Sequence, residues 1–232
     1  GLATPETLGQ VRTAELECAA EIMGIRDLIF LDYRDSGMTG TPDNEHPRAF
    51  INAPAEQVVT RLVDIVRGCQ PHVVVTADPN GGYGHPDHVA VHRHTVAAFH
   101  AAADPGRSTD SGEAWQAARL FYSVIPHSFF VAMRAWLVSI GEDTSDLDRY
   151  EEMEAGWPDD LVNVSLDVSA VIDTAWAALN CHRTQFGPDN PFRRLPEDGV
   201  KQATSHEHFA LAWPEPGPGL KLPDLVFGLE SG

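Results

Sequence analysis

The chain has 232 residues, 43% hydrophobic and 22% charged, the composition of an ordinary globular protein able to bury a real core. Lys and Arg number 16 against 34 Asp and Glu, a formal net charge of −18, which argues against a nucleic-acid or anionic-membrane binder because both need a basic footprint. No apolar run is long enough to span a bilayer. Three cysteines, Cys18, Cys69 and Cys181, are far apart and form no Cys-x-x-Cys pair, which predicts neither a disulfide framework nor a thiolate zinc knuckle, but a reduced cytoplasmic setting.

Thr4-Pro5-Glu6 reads as a helix start, with Pro at the first helical position and an acid in the first turn. Leu8, Val11, Leu16, Ala19, Ala20 and Met23 keep a helical period that Gly24 ends. A strand is expected over Asp27 to Leu31, then a long polar loop from Asp32 to Ala53. A second helix runs from about Pro54 to Arg67, with Val58, Val59, Leu62, Ile65 and Val66 on its buried side and Gly68 closing it. The β-branched run His72 to Ala77 predicts a strand covered on both faces. A loop with three glycines, Asp78 to Gly84, leads into a helix starting near Pro86. Further on, Asp104 to Glu113 reads as a surface loop and Ala118 to Ile125 as a strand. Ser128 to Ile140 is expected to be a helix, and Gly141 to Trp157 an acidic, partly irregular stretch. Leu161 to Val168 reads as a strand, Ser169 to Gln185 as a helix, and His208 to Trp213 as the one strand of a proline-rich tail. Strands alternating with helices predict an α/β doubly wound fold with a mostly parallel sheet. We expect one domain over 1–232, with 186–232 as its irregular extension. In such sheets ligands sit beyond the carboxyl ends of the strands, where the loop after Ala77 lies.

That loop reads Asp-Pro-Asn-Gly-Gly-Tyr83-Gly-His85-Pro86-Asp87-His88. Pro86 suits the first helical position, which makes His85 the cap and puts His85 and His88 on one helical face. Neutral imidazole is a common zinc ligand, and the glycines let backbone come close to a ligand. The two histidines need not share a role. A helix N-terminus disfavours a cationic imidazole and Asp87 favours one, so one histidine suits proton donation or oxyanion stabilisation rather than ligation. Tyr83 can bring a hydroxyl to the same place. The competing reading is a tight turn with surface histidines. A metal pair of His88 and His92, at i and i+4, lacks the Glu of the zincin pattern, and His92 and His94 read better as supporting or surface residues.

The string Gly-Gly-Tyr-Gly-His85-Pro86-Asp87-His88 resembles the second motif of the LmbE/PIG-L family of zinc-dependent N-deacetylases. Also similar are Arg12-x-x-Glu15-Leu16 with the following Ala-Ala-x-x-Met-Gly, Tyr33-Arg34-Asp35-Ser36-Gly37-Met38, His182-x-x-Gln185 and Glu207-His208-Phe209. They keep the family's order, and Tyr-Arg-Asp-Ser-Gly-Met is most similar to actinobacterial members of mycothiol metabolism. The resemblance implies a Rossmann-like fold and a metal-activated water that removes an acetyl group from an N-acetylglucosaminyl compound. It implies His88 as zinc ligand, His85 as electrophile and acid, Asp87 as the residue that orients His85, and Tyr83 as an aid at the oxyanion. Arg12, Asp35 and Gln185 match positions that hold the sugar or its aglycone. Surface salt-bridge roles for Arg12 and Asp35, and a helix-terminal role for Gln185, are the plainer alternatives. Iron or another divalent ion suits the same ligand types.

The family's first motif, Ala-His-Pro-Asp-Asp-Glu, is not in this sequence. The nearest string, Gly156-Trp157-Pro158-Asp159-Asp160, has Trp in place of His and reads as a solvated turn. Residue 1 is Gly, and nothing like a signal peptide leads the first element. The expectation is an enzyme chain cut short of an N-terminal strand–helix portion, lacking the general base and two zinc ligands and so short of turnover by itself; a natural remnant is the alternative. An amidase acting on mycothiol S-conjugates, and a non-catalytic sugar- or nucleotide-binding α/β module, are the competing functions. The expected partner is a small N-acetylated amino sugar, with no nucleic acid and no membrane.

Overall fold

The chain alternates helices with short strands because its apolar spacing alternates between helical and β-branched patterns. The computed structural model describes residues 2–4, 6–107, 111–147, 156–187 and 190–229. Helices α1 (Leu8–Met23) and α2 (Ala55–Cys69) precede strand β1 (Val73–Ala77) and helix α3 (Pro86–Ala102). Strand β2 (Arg119–Val124), helix α4 (His127–Ser139), strand β3 (Val164–Asp167), helices α5 (Ile172–Cys181) and α6 (Glu197–Ala203) and strand β4 (His206–Trp213) follow. No described helix is long and apolar enough to cross a membrane.

The chain divides into two compact units. One comprises 33–130, 150–166 and 208–232 and carries the sheet. Strand order is β1-β2-β4-β3. The β1–β2 pair is parallel, with Val75 opposite Phe121, and the β2–β4 pair is antiparallel, with Tyr122 opposite Ala210. The fold is α/β as the alternation predicts, and the sheet is mixed. The tail returns as β4 between β2 and β3, which interrupts the parallel order. Among the described strands β1 sits at an edge. Its Val75 is 43% exposed, so the expectation of a strand covered on both faces fails there.

Helices α2 and α3 pack through Val59, Val63, Ala98 and Ala102. Phe121, Val164 and Leu211 bind the strands, with Leu220, Leu222 and Leu225 of the tail packed on them. The Arg67 guanidinium, 4% exposed, donates to the carbonyls of Ala102, Asp104 and Arg107 where α3 ends. Asp159 accepts from the Ser128 backbone and hydroxyl at the start of α4, so the Trp-Pro-Asp-Asp turn anchors a helix, and the Ser128 bond holds its carboxyl below the ordinary range.

The other unit comprises 1–32, 131–149 and 167–207. Glu15 of α1, 7% exposed, accepts from the Thr184 backbone and hydroxyl. Cys18 and Cys181, 163 residues apart in sequence, form a disulfide between α1 and α5, and Cys69 is free and exposed. This corrects the prediction of unpaired thiols: sequence distance does not measure the spatial distance that packing two helices sets. The cysteine argument for a reducing compartment loses its premise.

Asp27 to Leu31 is not a strand. A strand needs a ladder with a neighbouring strand, the segment joins none of the strands among the described residues, and Leu28 and Ile29 stay exposed. Helix α1 starts at Leu8 with Thr7 before it, so the start predicted at Thr4-Pro5 is early, and Pro5 itself lies outside the described residues. Parts of the predicted loops, 108–110 and 148–155, also lie outside them. The last predicted helix divides into a 3-10 turn, Ser169–Val171, and α5, and Gln185 falls beyond its end.

Candidate active site

The loop from β1 to α3 builds the site. Pro86 takes the first position of α3, and His85 is the cap, its Nδ1 accepting from the Asp87 backbone N–H at 3.1 Å. That bond fixes the ring: with Nδ1 an acceptor, the proton of neutral His85 sits on Nε2. One helical turn later the opposite holds. His88 Nδ1 faces the Gly81 carbonyl at 3.2 Å, and a carbonyl only accepts, so Nδ1 carries the proton and Nε2 is left with a lone pair. The two rings stand 5.1 Å apart. Tyr83, 62% exposed, has its ring 5.3 Å from His88 and 6.1 Å from His85.

The segment after Tyr33 closes on this loop. Ser36 N–H donates to Asp87 Oδ2 at 2.9 Å across 51 residues of sequence. Asn44 donates to the Ser36 carbonyl, and the Ser36 hydroxyl accepts from Ile51 N–H, so the motif backbone is tied down from both sides. Asp35, beside it, accepts from Gly37 N–H and stays exposed. Asp35, His85 and Asp87 each bring a ligand atom within 4.8 Å of the others, a cluster able to hold a divalent cation. His88 falls outside that cluster among the described residues. Asp87 Oδ1 is buried with no hydrogen-bond partner. An orphaned carboxylate oxygen, together with the free Nε2 of His88, gives the N and O donors that suit zinc or a similar ion. Asp87 meets His85 through its backbone N–H, which orients the ring.

The wall behind the loop is supporting structure. His92 Nδ1 donates to the Ala77 carbonyl at 2.9 Å, and its ring lies 4.9 Å from Tyr122, whose hydroxyl burial pushes above its ordinary pKa. His94 packs edge-on against Phe50, and burial, then Arg93, lowers its pKa. Arg12 on α1 and Gln185 after α5 belong to the other unit, where Gln185 and His182 line a cavity of about 290 Å³ with Leu179, Phe186 and Asn190. Glu207 keeps solvent contact, yet atoms crowded about its carboxyl desolvate it and raise its pKa.

Sequence reasoning passed over two groups at this loop. Asp78, 7% exposed, accepts from Asn80 and Gly82 N–H, and Ser36 reaches Asp87 through its backbone. Asp-Pro-Asn-Gly after a strand is the turn signature that points to the first. A backbone donor leaves no side-chain signature, so nothing in the sequence points to the second.

The family model described as "PIG-L: GlcNAc-PI de-N-acetylase" matches residues 1–99. The 1D-myo-inositol 2-acetamido-2-deoxy-alpha-D-glucopyranoside deacetylase of Geodermatophilus obscurus is 39% identical over 228 residues, covering 96% of this chain and 78% of the relative. The chain belongs to the PIG-L (LmbE) family. The protein of the same name from Thermomonospora curvata is 36% identical over 233 residues, 98% of this chain and 76% of its own length. The mycothiol-pathway branch that Tyr-Arg-Asp-Ser-Gly-Met resembles is therefore the PIG-L branch of these relatives. Among solved structures, the conserved protein TT1542 from Thermus thermophilus aligns with TM-score 0.54 and 21% identity, over 93% of this chain and 77% of its own. The hydratase GalB of Pseudomonas putida KT2440 aligns with TM-score 0.54 and 18% identity, over 94% and 77%. These two share the α/β fold of this chain, and the likeness extends to the fold alone.

Proposed function

We propose that this chain belongs to a zinc-dependent deacetylase that removes the acetyl group from an N-acetylglucosaminyl compound; its relatives are named as deacetylases of a glucosaminyl inositol. The observation that carries the reading is the pair of opposite tautomers. His88 offers a lone pair at Nε2 and His85 offers a proton there, one ring fit to hold a cation and the other to serve a developing anion.

His88 would hold the ion, as the family resemblance implies, and the carboxylates of Asp35 and Asp87 gather instead about His85. When bound, zinc supplies a Lewis acid and brings the pKa of water toward about 7. His85 Nε2–H donates a hydrogen bond to the amide oxygen as charge develops on it. The Asp87 N–H keeps the His85 ring from turning while this happens. Tyr83, exposed at the rim, brings its hydroxyl to the same oxygen. Asp35 accepts from sugar hydroxyls.

The test is a pair of variants, made in a protein that also carries the family's first motif. His88→Ala loses zinc, measured by elemental analysis after dialysis, whereas His85→Ala keeps zinc and loses acetate release from a glucosaminyl inositol by about 100-fold or more. Equal metal content and normal rates in both variants would overturn the assignment. Cleavage of a thiol conjugate without acetate release would point to the amidase instead.

A further inference from the structure

We propose that Asp78 is a positioning residue that sets the ring of His88 through the loop wound around its carboxylate. The proposal rests on His88 being a metal ligand, as argued above.

Asp78 follows β1 directly and is 7% exposed. A carboxylate this deep is costly unless hydrogen bonds replace its water. Each oxygen takes a separate backbone donor: Oδ1 accepts from Asn80 N–H at 2.7 Å and Oδ2 from Gly82 N–H at 2.9 Å. The Asp78 carbonyl accepts from Gly81 N–H at 3.0 Å. Three bonds from one residue thus fold 80–82 back on the strand end. The turn presses Gly81 against the first turn of α3. Gly81 has φ +69°, and a Cβ there would lie 2.9 Å from the Val89 nitrogen and 3.0 Å from His88 Cβ. From that position the Gly81 carbonyl takes the His88 Nδ1 proton. The hydrogen bonds of Asp78 run to the loop backbone at Asn80, Gly81 and Gly82. It acts through two peptide units, and its product is a single ring tautomer with Nε2 free.

The carboxylate is specific to this task. Asparagine keeps the volume but has one acceptor oxygen, and its amide would face a second backbone N–H, donor against donor. Asp78→Asn therefore loses one of the two bonds, and Asp78→Ala loses both.

The experiment uses the full chain and reads the ring directly. In the metal-free protein, nitrogen NMR of His88 gives the Nδ1–H form for the unaltered chain. Asp78→Ala shifts it toward the Nε2–H form that an unconstrained imidazole prefers. Zinc affinity by calorimetry falls by about 10–100-fold, the usual cost of losing a ligand's orienting partner. Asp78→Asn gives a smaller change of the same sign. A purely structural role would lower the melting temperature and leave the tautomer where it was. A folded Asp78→Ala with unaltered tautomer and zinc affinity overturns the proposal. Should that variant not fold, unaltered values in Asp78→Asn overturn it equally. His88→Ala is the control: if it binds zinc as tightly as the unaltered chain, the ligand assignment fails, and the tautomer measurement still decides the role of Asp78.

Discussion

A methyl group at Gly81 would have nowhere to go. Its Cβ would crowd the Val89 backbone and side chain at 2.9 Å, and φ +69° is a left-handed conformation. The backbone term costs about 1–2 kcal/mol and overpacking about 1–3 kcal/mol. Gly81→Ala should therefore lower stability by roughly 2–5 kcal/mol in denaturant titration and weaken zinc binding along with it, whereas Gly82→Ala meets no atom and carries the φ cost alone. His94 makes a pH prediction. Burial first, and Arg93 second, lower its folded pKa below 6.5. The unfolded chain then takes the proton first as pH falls through 6.5, so His94 loses the fold stability from there down to its folded pKa. His94→Gln should flatten the stability profile below pH 6.5 relative to the unaltered chain; identical slopes would remove His94 as a cause. At this scale the motif histidines were legible because two imidazoles three residues apart beside three glycines are rare as ornament. Asp78 was not, since a lone carboxylate in a turn looks the same whether it faces water or winds a loop.

Elements show what local pattern can and cannot carry. Strand β1 and helix α3 were legible because each announces itself within its own residues: β-branched side chains in one, Pro86 after a capping residue in the other. The expected strand at Asp27 to Leu31 has the right composition, but strand identity belongs to a pair, and no local pattern reports the neighbour. The order β1-β2-β4-β3 depends on where the tail returns, which the tail's own residues do not say. Arg67 carries the prediction for this scale. It sits on α2 yet satisfies carbonyls at and beyond the end of α3, the groups a helix leaves orphaned. Arg67→Met keeps the aliphatic stem and removes every donor. Leaving buried carbonyls bare should cost at least about 2 kcal/mol, read as a lower denaturant midpoint with unchanged slope. A midpoint equal to the unaltered chain's would mean that water replaces the guanidinium.

Over the whole molecule, covalent pairing and charge decide the behaviour. With Cys18 joined to Cys181 and Cys69 free, thiol titration of the denatured, unreduced chain should give one thiol, and three after reduction. Three before reduction would restore the expectation of unpaired cysteines. Charge argues a second measurement. There are 34 acids and 16 Lys or Arg, so acids outnumber these cations by 18, and sharing a cation, as Asp173 and Glu197 share Lys201, leaves that excess charge in place. Self-repulsion therefore works against the compact state. The pairs that do form, such as Arg34 with Asp43 and Lys201 with Asp173, have at least one half-exposed partner and hold little energy against it. Salt screens both effects, but repulsion acts over many pairs at long range, while each ion pair contributes at most about 1 kcal/mol. The screening length falls from about 30 Å at 0.01 M salt to about 8 Å at 0.15 M, short enough to cut repulsion between most surface carboxylates. The melting temperature should rise across that range. A fall would mean that the local ion pairs, not the excess of 18 acids, set the electrostatics of the fold.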